Sequence, residues 1–322
     1  MLATLSLIRR EFSAYFLSPI AYVVLAVFLA VTGHLFYLTL VQLTASGPKG
    51  IEYPMQLMLG DEKFWLVYLF IPPLLTMRLF AEERSSGTLE MLMTAPLHDW
   101  QVVLAKFLAC FAFYVVLWVP TLVYLPILLN WDPQFAWPPN AWTLNSILLL
   151  GGIAGAVIGL LLALLPLGWL GRPVAIVLFL AGIIAAGYGG WMHYHEDSEP
   201  LLTINAAIDP MPVLSSYLGI ALAGAMFLSL GLLVSSLVRS QMVSALVSLV
   251  LSLLFIVAGF WRPEMDTGST IYRLLFFFSV PLHFSHDFSR GVVDSRELVL
   301  YGSVTLACLF LTVRSLESRR WR

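Results

Sequence analysis

The chain has little charge for its length. Only 11% of its 322 residues are charged, whereas 60% are hydrophobic. An ordinary soluble domain carries about 25% charged residues. A soluble core could not bury this much apolar sequence, so the composition excludes a soluble protein and indicates a multi-spanning membrane protein. The apolar runs lack the alternation of membrane strands, which favours helices over a β-barrel.

Lysine is nearly absent, and this excludes one common function. The three lysines are Lys49, Lys63 and Lys106, and none is followed by Ser or Thr. A phosphate-binding P-loop needs the pattern G-x-x-x-x-G-K-S/T. We therefore expect this chain to have no ATPase of its own, no enzymatic activity and no cofactor. If it is part of an ATP-driven machine, ATP and Mg bind to a partner subunit.

Other reactive groups are also scarce. Cys110 and Cys308 are the only cysteines, and both lie in apolar runs, where packing is the expected role. We expect neither a disulfide nor a metal site. The run His193–Asp197 is interpreted as a hydrated loop, since metal sites need three or four ligands in fixed geometry. No long basic block suggests a nucleic-acid partner.

Turn signals and charges divide the chain into eight predicted transmembrane helices. With both termini in the cytoplasm, the inner segments hold 11 of 17 basic residues and 6 of 19 acidic ones. This distribution agrees with the positive-inside rule. We predict an all-α polytopic protein in a bacterial inner membrane, surrounded by lipid. The predicted spans are Ile20–Leu40, Phe64–Leu79, Val102–Leu129, Leu144–Leu170, Val174–Trp191, Tyr217–Val238, Met242–Phe260 and Leu298–Val313.

Two further segments contain apolar residues but do not have the pattern of transmembrane helices. Leu2–Leu17 is amphipathic, and we predict that residues 1–18 form an interfacial helix on the inner side. Residues 270–297 are mixed in character, and the apolar stretch Phe276–Phe284 is too short to cross a bilayer. We expect an outer re-entrant or interfacial element there. Pro72-Pro73 should break or kink the second span.

Residues 80–100 form a charged, turn-rich segment between two long apolar runs. Ser85–Gly87 leads into Thr88–Met93, which has the pattern of a short amphipathic helix that Pro96 would end. Such a helix lies on a membrane surface or docks in the groove of a partner. The alternative is an ordinary charged loop.

This segment and its flanks resemble the ABC-2 type transporter permeases, and within them the gliding-motility and copper-maturation class. The resemblance is carried by Met77–Arg84, Ser86–Glu90, Leu92, Thr94 and Pro96-Leu97, then by Phe288–Asp294 with Arg296, and by Leu311–Glu317. It implies that residues 80–100 couple the chain to an ATPase subunit. The implied coupling residues are Glu82, Glu83, Arg84, Gly87, Thr88, Leu89, Glu90, Leu92 and Pro96. The implied outer re-entrant residues are Phe288, Arg290, Gly291 and Asp294.

The resemblance also implies partners. These are an ABC ATPase subunit and a second permease chain, identical or different, in a transporter that we expect to export its substrate. An assembly or lipoprotein-extraction complex is one alternative, and a secondary carrier is another. The spans argue against a carrier because they hold almost no ionisable side chains. Lys106 lies near the inner end of its span and is expected to snorkel, and His34 is alone in its span.

Residues 131–209 depart from the six-span core of that family. The predicted helices between Leu144 and Trp191 add an inserted hairpin. Small residues at four-residue spacing on both helices favour tight packing of the pair. A dimer seam is the alternative, and the added surface could serve an accessory membrane protein. The predicted packing residues are Gly151, Gly155, Gly159, Gly182, Ala186 and Gly190.

Overall fold

The structure is a computed structural model that describes residues 2–17, 19–46, 54–87, 98–124, 180–185, 187–188, 211–257 and 276–320. Throughout these ranges the regular structure is helical. The chain divides into two compact units. The first contains Met1–Val41, Tyr53–Leu117 and Asp209–Arg322, and the second contains Gln42–Glu52 and Trp118–Ile208.

The helices follow the apolar runs closely. They are α1 (Leu2–Leu17), α2 (Pro19–Ser46), α3 (Pro54–Leu59), α4 (Glu62–Tyr68), α5 (Ile71–Thr76), α6 (Ala81–Ser85), α7 (Asp99–Trp118), α8 (Met211–Leu237), α9 (Gln241–Val257), α10 (Val280–His286) and α11 (Ser295–Arg320). Short 3₁₀ helices cover Val119–Val123 and Phe288–Arg290.

Four helices in the described ranges are long and apolar enough to cross a membrane, at Ala21–Gln42, Asp99–Leu122, Met211–Leu237 and Ser295–Ser318. The chain is therefore a polytopic helical membrane protein. Most of the predicted hairpin between Leu144 and Trp191 lies outside the described residues, so the eight-span topology stays a prediction.

The second predicted span is divided into two short helices. α4 ends at Tyr68 and α5 begins at Ile71, and Pro72 and Pro73 occupy the first turn of α5. Proline has no backbone N–H, so it fits the first turn of a helix but cannot continue a preceding one. Asp61 caps the start of α4, where its carboxylate accepts a hydrogen bond from the N–H of Lys63 at 3.0 Å.

α8 is the central helix of the first unit. Its neighbours approach so closely at Gly219, Gly224 and Gly231 that a Cβ at any of these positions would lie within 3 Å of another residue. Gly224 faces the ring of Tyr114 on α7. The Tyr114 hydroxyl donates to the carbonyl of Ile220 at 3.0 Å and lies 2.8 Å from the hydroxyl of Tyr68. These bonds hold α4, α7 and α8 together.

The described part of the second unit is small. Thr121 in the 3₁₀ helix donates its hydroxyl to the carbonyl of Trp118 at 2.6 Å. Residues 180–185 are helical, and Gly182 is buried. The other predicted packing residues, namely Gly151, Gly155, Gly159, Ala186 and Gly190, lie outside the described ranges. The tight packing of the inserted hairpin therefore stays a prediction.

Candidate functional site

The segment 80–100, called here the coupling segment, begins after a turn of three residues that follows α5. Its described part consists of residues 80–87, which contain α6, and residues 98–100, which begin α7. Glu82, Glu83, Arg84 and Gly87 lie in this part. The other predicted coupling residues, Thr88, Leu89, Glu90, Leu92 and Pro96, lie outside the described ranges.

Ser235 of α8 holds the start of α6. Its hydroxyl oxygen accepts hydrogen bonds from the N–H groups of Phe80 at 3.0 Å and Ala81 at 3.1 Å. The first N–H groups of a helix have no partner within that helix. A side chain that precedes the helix in sequence usually satisfies them, but here a residue about 155 positions later does so. The start of the coupling segment is thereby attached to α8.

Arg84 makes a second attachment to the same helix. Its Nη1 donates to the carbonyl of Leu237, the last residue of α8, at 2.6 Å. The final carbonyls of a helix lack N–H partners within the helix and carry partial negative charge, so a cation is favourable there. α6 is thus joined to the last turn of α8 near both of its own ends.

Gly87 ends the described part of the segment. The N–H of Ser86 still bonds to the carbonyl of Glu82 at 3.0 Å, and Gly87 then takes a φ of +73°. Glycine adopts this left-handed conformation with little cost, which is why it commonly terminates helices. A Cβ at Gly87 would meet nothing within 4 Å. The requirement for glycine here is therefore one of backbone conformation and not of space.

Glu83, on the inner face of the segment, is one end of a row of alternating charges from three helices. Nζ of Lys106, on α7, lies 2.7 Å from Oε1 of Glu83 and 3.1 Å from Oε2 of Glu11, on α1. Nη2 of Arg10 lies 2.7 Å from Oε1 of Glu11. We call these four residues the ion chain. Two positive and two negative groups make it neutral, which allows charges to be buried at tolerable cost.

The ion chain runs from solvent into the protein and back toward the segment. The side chains of Arg10, Glu11, Lys106 and Glu83 are 62%, 13%, 1% and 20% exposed. The Lys106 ammonium also lies 5.3 Å from the centre of the Phe80 ring, at a distance that permits a cation–π interaction. The most deeply buried member is thus the one that contacts both carboxylates.

The fold shifts the pKa values of the two carboxylates in the ion chain in opposite directions. Burial alone would raise the pKa of Glu11, but Lys106 and Arg10 together outweigh it and lower that pKa. Burial raises the pKa of Glu83, the effect of Lys106 in the opposite direction is smaller, and the nearby Glu11 carboxylate adds to the rise. The fold thus favours the charged form of Glu11 and disfavours that of Glu83.

Lys106 differs from the sequence-based expectation. It was expected to snorkel toward water, yet its side chain is almost fully buried. The cause is the pair of carboxylates, which replace water as its partners. One signal was available: Lys106 is the only charged residue in the run Val102–Leu129. An ionisable residue at that depth predicts a buried partner.

The predicted outer segment forms a compact corner. The carbonyl of Phe288 accepts a hydrogen bond from the hydroxyl of Ser215 on α8 at 2.5 Å. Gly291 has a φ of +86°, and a Cβ there would lie 3.2 Å from Pro212. Arg290 is exposed, and Asp294 caps α11 by accepting from the N–H of Arg296 at 2.9 Å. Whether this corner enters a membrane stays a prediction.

His283 lies inside the same corner. Its Nδ1 is 2.9 Å from the hydroxyl of Tyr301 and its Nε2 is 3.1 Å from the carbonyl of Phe276. Burial lowers the pKa of His283 to about 4, although the Phe276 carbonyl and the Asp287 carboxylate act in the opposite direction. His283 is therefore a neutral packing residue near pH 7. Of the other histidines considered, His34 is exposed on α2, and those in the run His193–Asp197 lie outside the described ranges.

The comparisons with known proteins bear on this site. Residues 8–187, more than half of the chain, match the model of a family described as ABC-2 family transporter protein. No curated protein matches the chain. The matched range contains residues 8–17 of α1, the coupling segment and α7, and therefore every member of the ion chain.

Proposed function

Since the chain belongs to the ABC-2 family of transporter proteins, we propose that it exports a substrate and that a separate ATPase drives it through the coupling segment. The chain is a membrane-spanning permease subunit of an ABC transporter. Membership implies an ABC ATPase partner and usually a second permease chain. In our proposal both termini lie in the cytoplasm of a bacterial cell, and ATP and Mg bind only to the ATPase.

The attachment of the coupling segment to α8 carries this proposal. α6 is joined to α8 through Ser235 and through the bond from Arg84 to the Leu237 carbonyl. A force on α6 therefore reaches the last turn of the central helix directly. Glu82 and Ser85–Gly87 are exposed on the opposite side of α6 and form a surface that a partner can reach.

The close contacts of α8 would carry this force across the first unit. α8 contacts α5 at Gly231, α7 at Gly224 and the outer corner at Gly219, with no room for a methyl group at any of them. Close-packed contacts of this kind transmit displacement because they cannot compress. In the proposed cycle, closure of the ATPase dimer tilts α8 and opens a route for the substrate. The resemblance at 77–97 and 288–294 supports the gliding-motility and copper-maturation class.

Charge reversal at Glu82 tests the proposal. We expect Glu82→Lys to weaken binding of the ATPase subunit by between several-fold and about a thousandfold, as a mismatch of about 1–4 kcal/mol implies. The measurement is the dissociation constant between the purified permease and its ABC ATPase partner, at low and high salt. Lys63→Glu is the control, because Lys63 is an exposed charge outside the coupling segment.

The control variant should bind the ATPase as the unmodified chain does. If Glu82→Lys also binds normally, and the complex hydrolyses ATP at the normal rate, then the ATPase does not dock on this face of α6.

A further inference from the structure

We infer that Lys106 is a positioning residue that joins α1 to the coupling segment, so that the two elements move as one body when the ATPase acts. Glu83 then works through Lys106 and not by touching the ATPase. The inference rests on the proposed function and adds α1 to the moving part of the machine.

The first support is that one ammonium group serves both elements. Lys106 lies on α7, Glu11 on α1 and Glu83 on α6, and both carboxylates are within 3.1 Å of the same Nζ. If α6 moved while α1 stayed, one of the two ion pairs would have to open. Opening it would leave a charge buried without its partner, which proteins strongly disfavour. Joint movement of α1 and α6 keeps both pairs closed.

The second support is that α1 has a further attachment one turn beyond Glu11. The Tyr15 hydroxyl donates to the carbonyl of Leu75 on α5 at 3.0 Å. The Tyr15 ring also stacks on Phe113 of α7 at 4.9 Å with an interplanar angle of 13°. α5 leads into the coupling segment. α1 is therefore bonded to the residues before the segment and, through Lys106, to the segment itself.

The third support is the direction in which Glu83 points. Successive residues of a helix are about 100° apart around its axis. Glu82 is exposed, whereas Glu83 is turned inward and is engaged by Lys106 at 2.7 Å. Neighbouring acids of the same type thus have opposite surroundings. Glu82 is placed for a contact with a partner, and Glu83 is placed for a contact within the chain.

The test measures whether α1 and α6 keep their separation during the ATPase cycle. Spin labels are placed on α1 at Leu5→Cys and on α6 at Ser85→Cys, both exposed positions, with the buried Cys110 and Cys308 replaced by Ala. Because Ser85 lies on the proposed surface for the ATPase, distances are recorded only after the labelled complex is shown to hydrolyse ATP at the unlabelled rate. The full chain is assembled with its ATPase in nanodiscs. Distances are recorded by pulsed electron paramagnetic resonance in the nucleotide-free complex and after trapping with ATP and vanadate.

In the complex that retains Lys106, we expect a single distance between the labels on α1 and α6, and we expect it to be the same before and after trapping. Lys106→Met should add a second, longer population after trapping, and Lys106→Arg should restore the single distance because it keeps the charge. A distance that changes in the unmodified complex, or that stays single in Lys106→Met, would overturn the inference.

A matched pair of neutral variants covers the case in which Lys106→Met does not fold. Glu83→Gln should reproduce the second population and leave binding of the ATPase unchanged. Glu82→Gln should weaken that binding several-fold and leave the distance single. If Glu83→Gln weakens binding without altering the distance, Glu83 contacts the ATPase and the inference is wrong. Loss of all binding to the ATPase in the unmodified chain would instead overturn the proposed function itself.

Discussion

The two ends of α8 are held by different kinds of interaction. At the Leu237 end, the Arg84 guanidinium donates to the last carbonyl of α8, and the Ser235 hydroxyl accepts from two N–H groups of the coupling segment. The ion chain in turn joins that segment to α1 and α7. At the Met211 end, the hydrogen bonds that hold the outer corner come from uncharged groups. There the hydroxyl of Ser215 bonds to the carbonyl of Phe288, and the amide of Gln56 donates to the carbonyl of Ser285 at 2.9 Å.

The two ends of α8 also differ in how tightly the side chains pack around them. Phe284 and Phe288 at the Met211 end are fully buried, and their ring centres are 5.1 Å apart. Trp65 lies 4.8 Å from Phe284. At the Leu237 end, Ser86 and Gly87, which follow α6, are exposed. One end of α8 is therefore anchored in a dry aromatic corner, and the other end is accessible and responds to charge.

We expect the two ends of α8 to respond differently to substitutions, which variants can test. An end that depends on buried ion pairs should be sensitive to the loss of a single charge. An end that depends on packing and on hydrogen bonds to backbone carbonyls should tolerate the loss of one polar group but not the addition of volume.

The largest effect is expected from removing the shared cation. Lys106→Met leaves the carboxylates of Glu11 and Glu83 without their buried partner, which should cost about 3–5 kcal/mol of stability. Ser215→Ala at the other end should cost only about 1 kcal/mol, because the Phe288 carbonyl still accepts from the N–H of Gly291 at 3.2 Å. Thermal unfolding of both variants in the same detergent measures this. Equal losses would remove the distinction between the ends.

An intermediate effect is expected at the two left-handed glycines. Gly291→Ala adds a methyl group beside Pro212 and also strains the backbone, so it should cost roughly 2–3 kcal/mol. Gly87→Ala strains the backbone in open space and should cost about 1 kcal/mol. The measurement is the unfolding temperature of each of the two variants. A greater loss for Gly87→Ala would mean that the Leu237 end is the more crowded one.

A separate effect, confined to acidic pH, is expected at the Met211 end. The pKa of His283 falls from its ordinary 6.5 to about 4 in the fold, so the unfolded chain binds more protons between these values. Stability should therefore fall as the pH is lowered through this window, by at most about 1.4 kcal/mol per pH unit.

The control for this prediction is His283→Gln, which has no titrating group at that position. Its stability should vary less between pH 6.5 and pH 4 than that of the unmodified chain. Parallel curves would show that His283 is not the source of the dependence.

Several features followed from the sequence because their causes are local. The low charge and the long apolar runs required a helical membrane protein, and Pro72-Pro73 predicted the interruption between α4 and α5. The charged residues between two apolar runs located the segment 80–100, whose coupling role stays a prediction. The extent of α1 agrees with the amphipathic stretch Leu2–Leu17. Each of these depends on neighbouring residues, whose spacing a sequence displays directly.

Which residues of the chain contact the coupling segment was decided only by the tertiary structure. Ser235 caps a helix that begins more than 150 residues earlier, and Lys106 bonds to Glu11 across 95 positions and to Glu83 across 23. Helical periodicity indicates which face of a helix is apolar, but it does not indicate which other helix covers that face. Whether Lys106 would reach water or two carboxylates therefore depended on how α1, α6 and α7 pack together.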